Sequence, residues 1–182
     1  MHSSQFMTRY GTGVVYATDQ GVVRVEIPDL SRCETPHHNM LPEFNSSGIS
    51  DQAAQMLSRY FQGEQVDFVD TPVVLEGMTP FRQKVLGVIR NLTYGKICSY
   101  GQVANECNSP HAARAVGGAL ASNPMPVIIP CHRIVASDGR LTGFSAPGGE
   151  STKIALLKME GVEFKGLLVV TKQLVMHRTS SR

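Results

Sequence analysis

The sequence predicts an α+β fold in two parts, a strand-bearing first third and a mostly helical remainder. Three observations predict it. Apolar and polar residues alternate up to Ile27, the two-residue period of half-buried strands. From Thr79 onward, apolar residues recur at helical spacing between residues that cap helices. The two parts also differ in charge. Residues 1–76 hold 4 basic and 10 acidic side chains, a net of −6, and residues 77–182 hold 13 and 5, a net of +8. The chain therefore divides into 1–76 and 77–182, with Gly77 as the hinge.

Val14, Val15 and Tyr16, then Val22, Val23, Val25 and Ile27, flank Thr18-Asp19-Gln20-Gly21 and read as a hairpin. A loop rich in Pro, His, Asn and Ser follows from Ser31 to Gly48. Ser50 and Asp51 open a helix with Ala53, Ala54, Met56, Leu57, Tyr60 and Phe61 on its apolar face and Gly63 at its end. Val66, Phe68 and Val73 to Leu75 read as short strands. In the second part Thr79 caps a helix with Pro80 at its first position and Phe81, Val85, Leu86 and Ile89 inward, and Tyr94-Gly95 breaks it. Ser99 to Gln102 is a capping-box pattern opening a short helix. Ser109 caps a further helix from about Pro110 to Ser122, stopped by Asn123-Pro124. Val127 to Ile129 is a short buried run. Ser151 caps a last helix, with Ile154, Leu157 and Met159 inward and Gly161 at its stop. Leu167 to Val170 and Leu174 to Met176 add a strand in the tail.

The 182 residues are 42% hydrophobic and 18% charged, with a net charge of +2. That is enough for one domain or two small ones with a real core, and it excludes a disordered tail. No run approaches the roughly 18 apolar residues of a membrane span. Met1 to Tyr10 lacks the basic-then-apolar order of a secretory signal. Cys33, Cys98, Cys107 and Cys131 contain no C-x-x-C pair, as expected of free thiols in a cytosolic protein, or a nuclear one in a eukaryote. The +2 taken alone argues against a strongly basic nucleic-acid binder. The +8 of the second part reverses that reading and points to an anionic partner, nucleic acid above all.

Residues 99–122 have the spacing of a helix-turn-helix. The second helix is nearly bare: Ala112, Ala113, Ala115, Gly117, Gly118, Ala119 and Ala121. Each interior glycine costs about 1 kcal/mol relative to Ala, so close approach of something to this backbone is implied. Two readings stand at this point, tight packing against another helix or entry into a narrow groove. The minor groove of B-DNA, about 6 Å wide, takes an ordinary helix poorly. Arg114 is the only Lys or Arg between Lys96 and Arg133, and a lone long cation on a bare helix suits insertion into a base stack. Ser99, Ser109 and the N–H groups at the helix N-termini are candidates to grip phosphates.

Ile129-Pro130-Cys131-His132-Arg133 sets a thiol beside an imidazole and a guanidinium in apolar surroundings. The thiolate is the attacking species, and a neighbouring base or cation raises its population. In an extended segment Cys131 and His132 would point to opposite faces, so the pair requires a turn at Pro130 or a bridging water. The imidazole also needs a third group to orient it, and Glu160 in the last turn of its helix is the candidate. The other reading is a buried structural cysteine, the ordinary fate of a free thiol.

Ser99-Tyr100, Ala112 to Ala119, Asn123-Pro124 and Ile129 to Arg133 match in order and spacing the catalytic domain of the O6-alkylguanine-DNA alkyltransferases, which the run from Thr79 to Gly161 resembles. The resemblance implies a ribonuclease-H-like α/β domain for 1–76. It implies a catalytic and DNA-binding domain for 77–182, with a winged-helix-like helix-turn-helix at about 99–122 and an active-site segment at 123–135. It implies transfer of an alkyl group from O6-alkylguanine, and O4-alkylthymine, in duplex DNA to Cys131, once per molecule and without a cofactor. In that scheme the base is flipped from the minor-groove side. Arg114 fills the gap it leaves, Ala113 lies on the DNA face, and Tyr100 crowds the 3′ phosphate and assists the departing guanine. His132, oriented by Glu160, takes the proton of Cys131 through a water, and Asn123 holds the Cys131 loop. Leu120, Pro126, Val135, Phe144 and Ser145 form the substrate pocket. Phe144 stands where relatives often carry tyrosine, which leaves one hydroxyl fewer near the guanine. Some relatives hold zinc in the first domain. Cys33, His37 and His38 are the only local candidates and lack an obvious fourth ligand, so no metal is expected. A monomer is the expected state, and the sequence leaves cooperative loading on DNA open.

Three readings from other classes compete. A non-catalytic lesion binder would lack the thiol at 131. A Cys-His hydrolase needs an oxyanion hole, and no motif for one is evident. A transcription factor or redox sensor needs more base-reading side chains than Arg114 and His111.

Overall fold

The computed structural model describes residues 1–32 and 46–171. The first part opens with an antiparallel sheet in the order β1 (His2–Thr8), β2 (Gly11–Thr18), β3 (Gly21–Glu26). β2 and β3 are the expected hairpin, closed at Thr18↔Gly21 with an irregularity at Tyr16/Ala17. β1 was not legible as a strand because two of its inward positions are Ser4 and Thr8 rather than apolar residues. Ser4 is tolerated inside because its hydroxyl donates to Asp51 at 2.6 Å.

Helix α1 (Gly48–Phe61) lies across this sheet and buries Ala53, Ala54, Leu57, Tyr60 and Phe61, the predicted face. It starts earlier than expected. Ser47 is the N-cap, and Ser50 closes a capping box with it, each satisfying a backbone N–H of the other. The segment 66–75 does not form strands. Val73 makes a single bridge to Val22, flanked by hydrogen bonds from Val22 N to Pro72 O and from Val74 N to Val22 O. Pro72 has no N–H to extend that pairing.

In the second part α2 (Pro80–Arg90) is capped by Thr79 as predicted, and α3 (Tyr100–Glu106) by the Ser99–Gln102 box. Helix α4 (Ala113–Ala121) begins three residues later than expected. Ser109 does not cap it, because the chain first closes a turn with Ala112 N donating to Ser109 O at 2.9 Å. Two-residue strands β4 (Cys98–Ser99) and β5 (Ile134–Val135) pair in parallel and bring the active-site segment beside α3. Helix α5 (Gly149–Met159) is preceded by Gly148 with φ 77, not capped by Ser151, and its buried face is Thr152, Lys153, Leu156 and Leu157. β6 (Phe164–Lys165) and β7 (Leu168–Val169) form a small hairpin, of which β7 falls within the expected run Leu167 to Val170 and β6 precedes it. Cys33, His37, His38 and Leu174 to Met176 lie outside the described residues.

One buried cluster runs across Gly77, joining Val15, Leu57 and Tyr60 to Leu86, Ile89 and Ile129. Hydrogen bonds also cross: Val25 N donates to the backbone Pro124 O at 2.8 Å, and Leu30 N to the side-chain Thr152 Oγ1 at 3.1 Å. Among the described residues no helix is long and apolar enough to cross a membrane.

Candidate active site and nucleic-acid face

The segment between α4 and β5 is folded back on itself. Val127, buried and β-branched, sits at φ 73, a conformation that costs free energy and is held by its surroundings, here by Ile129 N donating to Met125 O. Cys131, His132 and Arg133 then form a single 3-10 turn, so the turn required at Pro130 is present. Asn123 ties the end of α4 to this turn. Its amide donates to Ile129 O at 2.8 Å and to Cys131 Sγ at 3.1 Å, and its oxygen accepts from Met125 N.

His132 is fully buried, and its Nε2 lies 2.8 Å from Glu160 Oε1. Its Nδ1 has no partner among the described residues. Glu160 closes α5 and lies under the turn, where five donors reach it. Arg133 binds both oxygens at 2.8 Å, and His132, Tyr60 and Gly95 N–H complete the set. Gly95 has φ +71, and a Cβ there would lie 2.8 Å from Glu160 O, so only glycine permits this approach. Burial alone would raise the Glu160 carboxyl, but His132 and Arg133 hold it well below the usual carboxylate range. Burial pushes the His132 imidazole down, opposed by Glu160, so the ring rests neutral.

The Cys131 thiol is 6% exposed, and burial pushes it up despite the Asn123 hydrogen bond and the nearby Lys153. It therefore rests as a thiol, and its proton must leave during attack. Arg133 is not the cation that faces it. That guanidinium is spent on Glu160 and on the carbonyl of Leu92. The cation facing Cys131 is Lys153, buried on α5, donating to Ile134 O at 2.6 Å and pulled down to about 8 by desolvation. Sequence reasoning missed Lys153. The available signal was a lysine three and four residues before the inward Leu156 and Leu157.

Cys131 forms part of the lining of a cleft of about 600 Å³ shared with Tyr100, Ala113, Arg114, Leu120, Phe144 and Ser145. Tyr100 donates to Thr142 O at 3.0 Å, tying the cleft wall to the 142–145 loop. Pro126 lies on a second opening of about 650 Å³ that also reaches Cys131, Phe144 and Ser145 and extends to Arg24 and Glu26 of β3. Val135 is not brought to either opening. It packs with Ile97, Leu141 and Leu157 in a separate buried cluster, because β5 turns it inward. Ser99 is buried with its hydroxyl accepting from Gln102 N, and the half-buried Ser109 donates its hydroxyl to Cys107 O. Cys98 and Cys107 are buried, and burial raises both thiols, Cys98 to about 11.

The structure bears on the first reading of the bare helix, packing against another helix. Val116, Ala119 and Leu120 face the core. A Cβ at Gly118 would meet nothing within 4 Å, and one at Gly117 only the Tyr100 ring at 3.8 Å. Packing inside the protein therefore does not demand these glycines. The bare surface faces outward, with Arg114 exposed upon it.

Fold and site together set two successive helices, α3 and α4, beside a cleft whose lining includes Cys131, next in sequence to the buried His132–Glu160 pair. Residues 80–162 match the family model described as 6-O-methylguanine DNA methyltransferase, DNA binding domain. The chain is 45% identical over 106 residues to a methylated-DNA–protein-cysteine methyltransferase of Haemophilus influenzae, covering 58% of each chain. It is 39% identical over 110 residues to the protein of that name from Methanosarcina acetivorans, covering 60% of this chain and 68% of that one. Its structure is similar to the crystal structure of Mycobacterium tuberculosis OGT in complex with DNA, with a TM-score of 0.72 and 30% identity over 88% of this chain and 93% of the other. The chain belongs to the 6-O-methylguanine DNA methyltransferase family. It aligns with just under three fifths of the Haemophilus protein's length.

Proposed function

We propose that this protein repairs duplex DNA by taking the alkyl group of O6-alkylguanine, and of O4-alkylthymine, onto Cys131, once per molecule. The observation that carries this reading is the placement of a resting thiol on the same cleft as the exposed Arg114, next to an imidazole held by Glu160. The bare face of α4 enters the minor groove, and Arg114 occupies the space of the flipped nucleotide. The alkylated base enters the cleft between Tyr100 and the 142–145 loop. The proton of Cys131 passes through one water to His132 Nδ1, while Sγ attacks the alkyl carbon in line with the departing O6. The C–O bond breaks, its electron pair stays on guanine, and the Tyr100 hydroxyl turns from Thr142 O to assist that anion. A thioether is not hydrolysed, so the protein is consumed. The step balances with thiol and alkylguanine alone and calls for no cofactor.

In this reading residues 1–76 are the ribonuclease-H-like part. Residues 77–182 are the catalytic and DNA-binding part, with a winged-helix-like helix-turn-helix at about 99–122. The monomer acts wherever the cell keeps its DNA, and cooperative loading would appear as a sigmoidal binding isotherm. Few cations lie on α4, so affinity is modest and the salt dependence shallow. Incubation with duplex DNA containing O6-methylguanine, followed by peptide mass spectrometry, tests the reading. One methyl group on the Cys131 peptide with burst-and-stop kinetics is expected. Multiple turnover, or tight binding without transfer, would sink it.

A further inference from the structure

Helix α1 reaches the reacting centre from the acidic part of the chain. Tyr60, near its end, has no exposed surface, and its hydroxyl donates to Glu160 Oε1 at 2.7 Å across 100 residues of sequence. That oxygen is also the one held by His132 Nε2 and by Arg133 Nη2. The Tyr60 ring stands edge-on to Phe61, Phe68 and Tyr94, which leaves the hydroxyl little freedom to point elsewhere. Tyr94 offers a contrast from the same cluster: its hydroxyl donates to a backbone carbonyl, Met159 O, at 2.8 Å. Tyr60 spends its proton on the carboxylate that orients the imidazole.

We propose that Tyr60 is a positioning residue for alkyl transfer, fixing Glu160 Oε1 and moderating its hold on His132, so that the N-terminal part takes a share in activating the thiol. The inference rests on the reading of Cys131 as the alkyl acceptor. An oxygen that accepts three hydrogen bonds divides its charge among three donors. Without the phenol more of that charge falls on the imidazole, and the protonated ring becomes easier to form. A protonated His132 cannot take the proton of Cys131. The other titratable and charged groups facing the His132–Glu160 pair are Arg133 on the 131–133 turn, Lys153 on α5, Tyr94 in the turn after α2, and Cys131. Substitution at position 60 leaves all of these in place. Burial and the Glu160 carboxylate hold the Tyr60 hydroxyl well above the ordinary tyrosine range, so it stays a donor throughout.

The test is the rate constant for transfer from free O6-benzylguanine to the full chain, followed by intact mass from about pH 5 to about pH 9. Tyr60→Phe keeps the ring and is expected to move the acid limb up by about half a pH unit, which is about threefold slower transfer on that limb. Tyr94→Phe, an equivalent loss beside the site, is expected to leave the limb where it is. Replacing Tyr60 with 3,5-difluorotyrosine strengthens the donor and is expected to move the limb down, a result that stands even if the Phe variant does not fold. Coincident limbs for wild type and the position-60 variants would overturn the inference while leaving the proposed function intact. A wild-type protein that transfers nothing to Cys131 overturns that function, and this inference with it.

Discussion

The two sides of Cys131 are built on opposite terms. Beneath it the His132–Glu160–Arg133 group is buried, and hydrogen bonds reach Glu160 from three separate stretches of chain. In front of it α4 presents alanine, glycine and a single arginine, with open space where side chains could stand. The interior is specified by what it contains and the face by what it leaves out. A reaction centre must hold its groups to within fractions of an ångström, and hydrogen bonds supply that. A face that stays bare leaves room for close approach by another molecule, at a cost in helix stability.

The comparison breaks outright if the thiol is dispensable. Cys131→Ala is expected to abolish transfer while leaving duplex binding within about threefold, read by mass spectrometry and a gel-shift titration. Glu160→Gln comes next. Transfer from free O6-benzylguanine is expected to fall about 100-fold, and stability by about 3 kcal/mol, because Arg133 loses the anion that permits its burial. The pH dependence of that loss has a definite sign. The Glu160 carboxyl is depressed in the folded state, so its contribution is present above the unfolded value of about 4.3 and fades as the pH falls below it. Urea midpoints of wild type and variant should therefore converge below about pH 4; parallel curves down to pH 3 or so would contradict the assignment.

On the face, Arg114→Ala is expected to slow repair of duplexes about tenfold and reaction with the free base less than about twofold. Equal losses would remove the wedge role. The smallest effect is the most discriminating. Gly118→Ala should stabilise the protein by up to about 1 kcal/mol, since the added methyl meets nothing and the helix gains propensity. Repair of duplexes should nevertheless weaken a few-fold. A variant that is more stable and equally active would mean that the bareness serves no partner.

Much of this was legible because it is local. Capping residues announced α2 and α3, the two-residue period announced the β2–β3 hairpin, and Pro130 ahead of Cys131 announced the turn. The candidate triad was also legible, since a thiol, an imidazole and a carboxylate at a helix end are recognisable residue by residue. Where polar residues serve the interior, the pattern misled. Ser4 and Thr8 hid β1, and Lys153 and Thr152 hid the buried face of α5. Val135 was placed in the pocket because a sequence does not say which way a two-residue strand turns its side chains.

By itself the sequence determined the order of elements, the charge division and the residues able to react, because propensity, capping and chemical type belong to single residues and near neighbours. Only the tertiary structure decided what each reactive group touches. It turned Arg133 away from the thiol and onto Glu160, set Lys153 in its place, left the glycines of α4 facing outward, and carried Tyr60 across 100 residues to the same carboxylate. Those pairings are long-range consequences of packing, and a buried charge takes whichever partners the fold brings within hydrogen-bond reach.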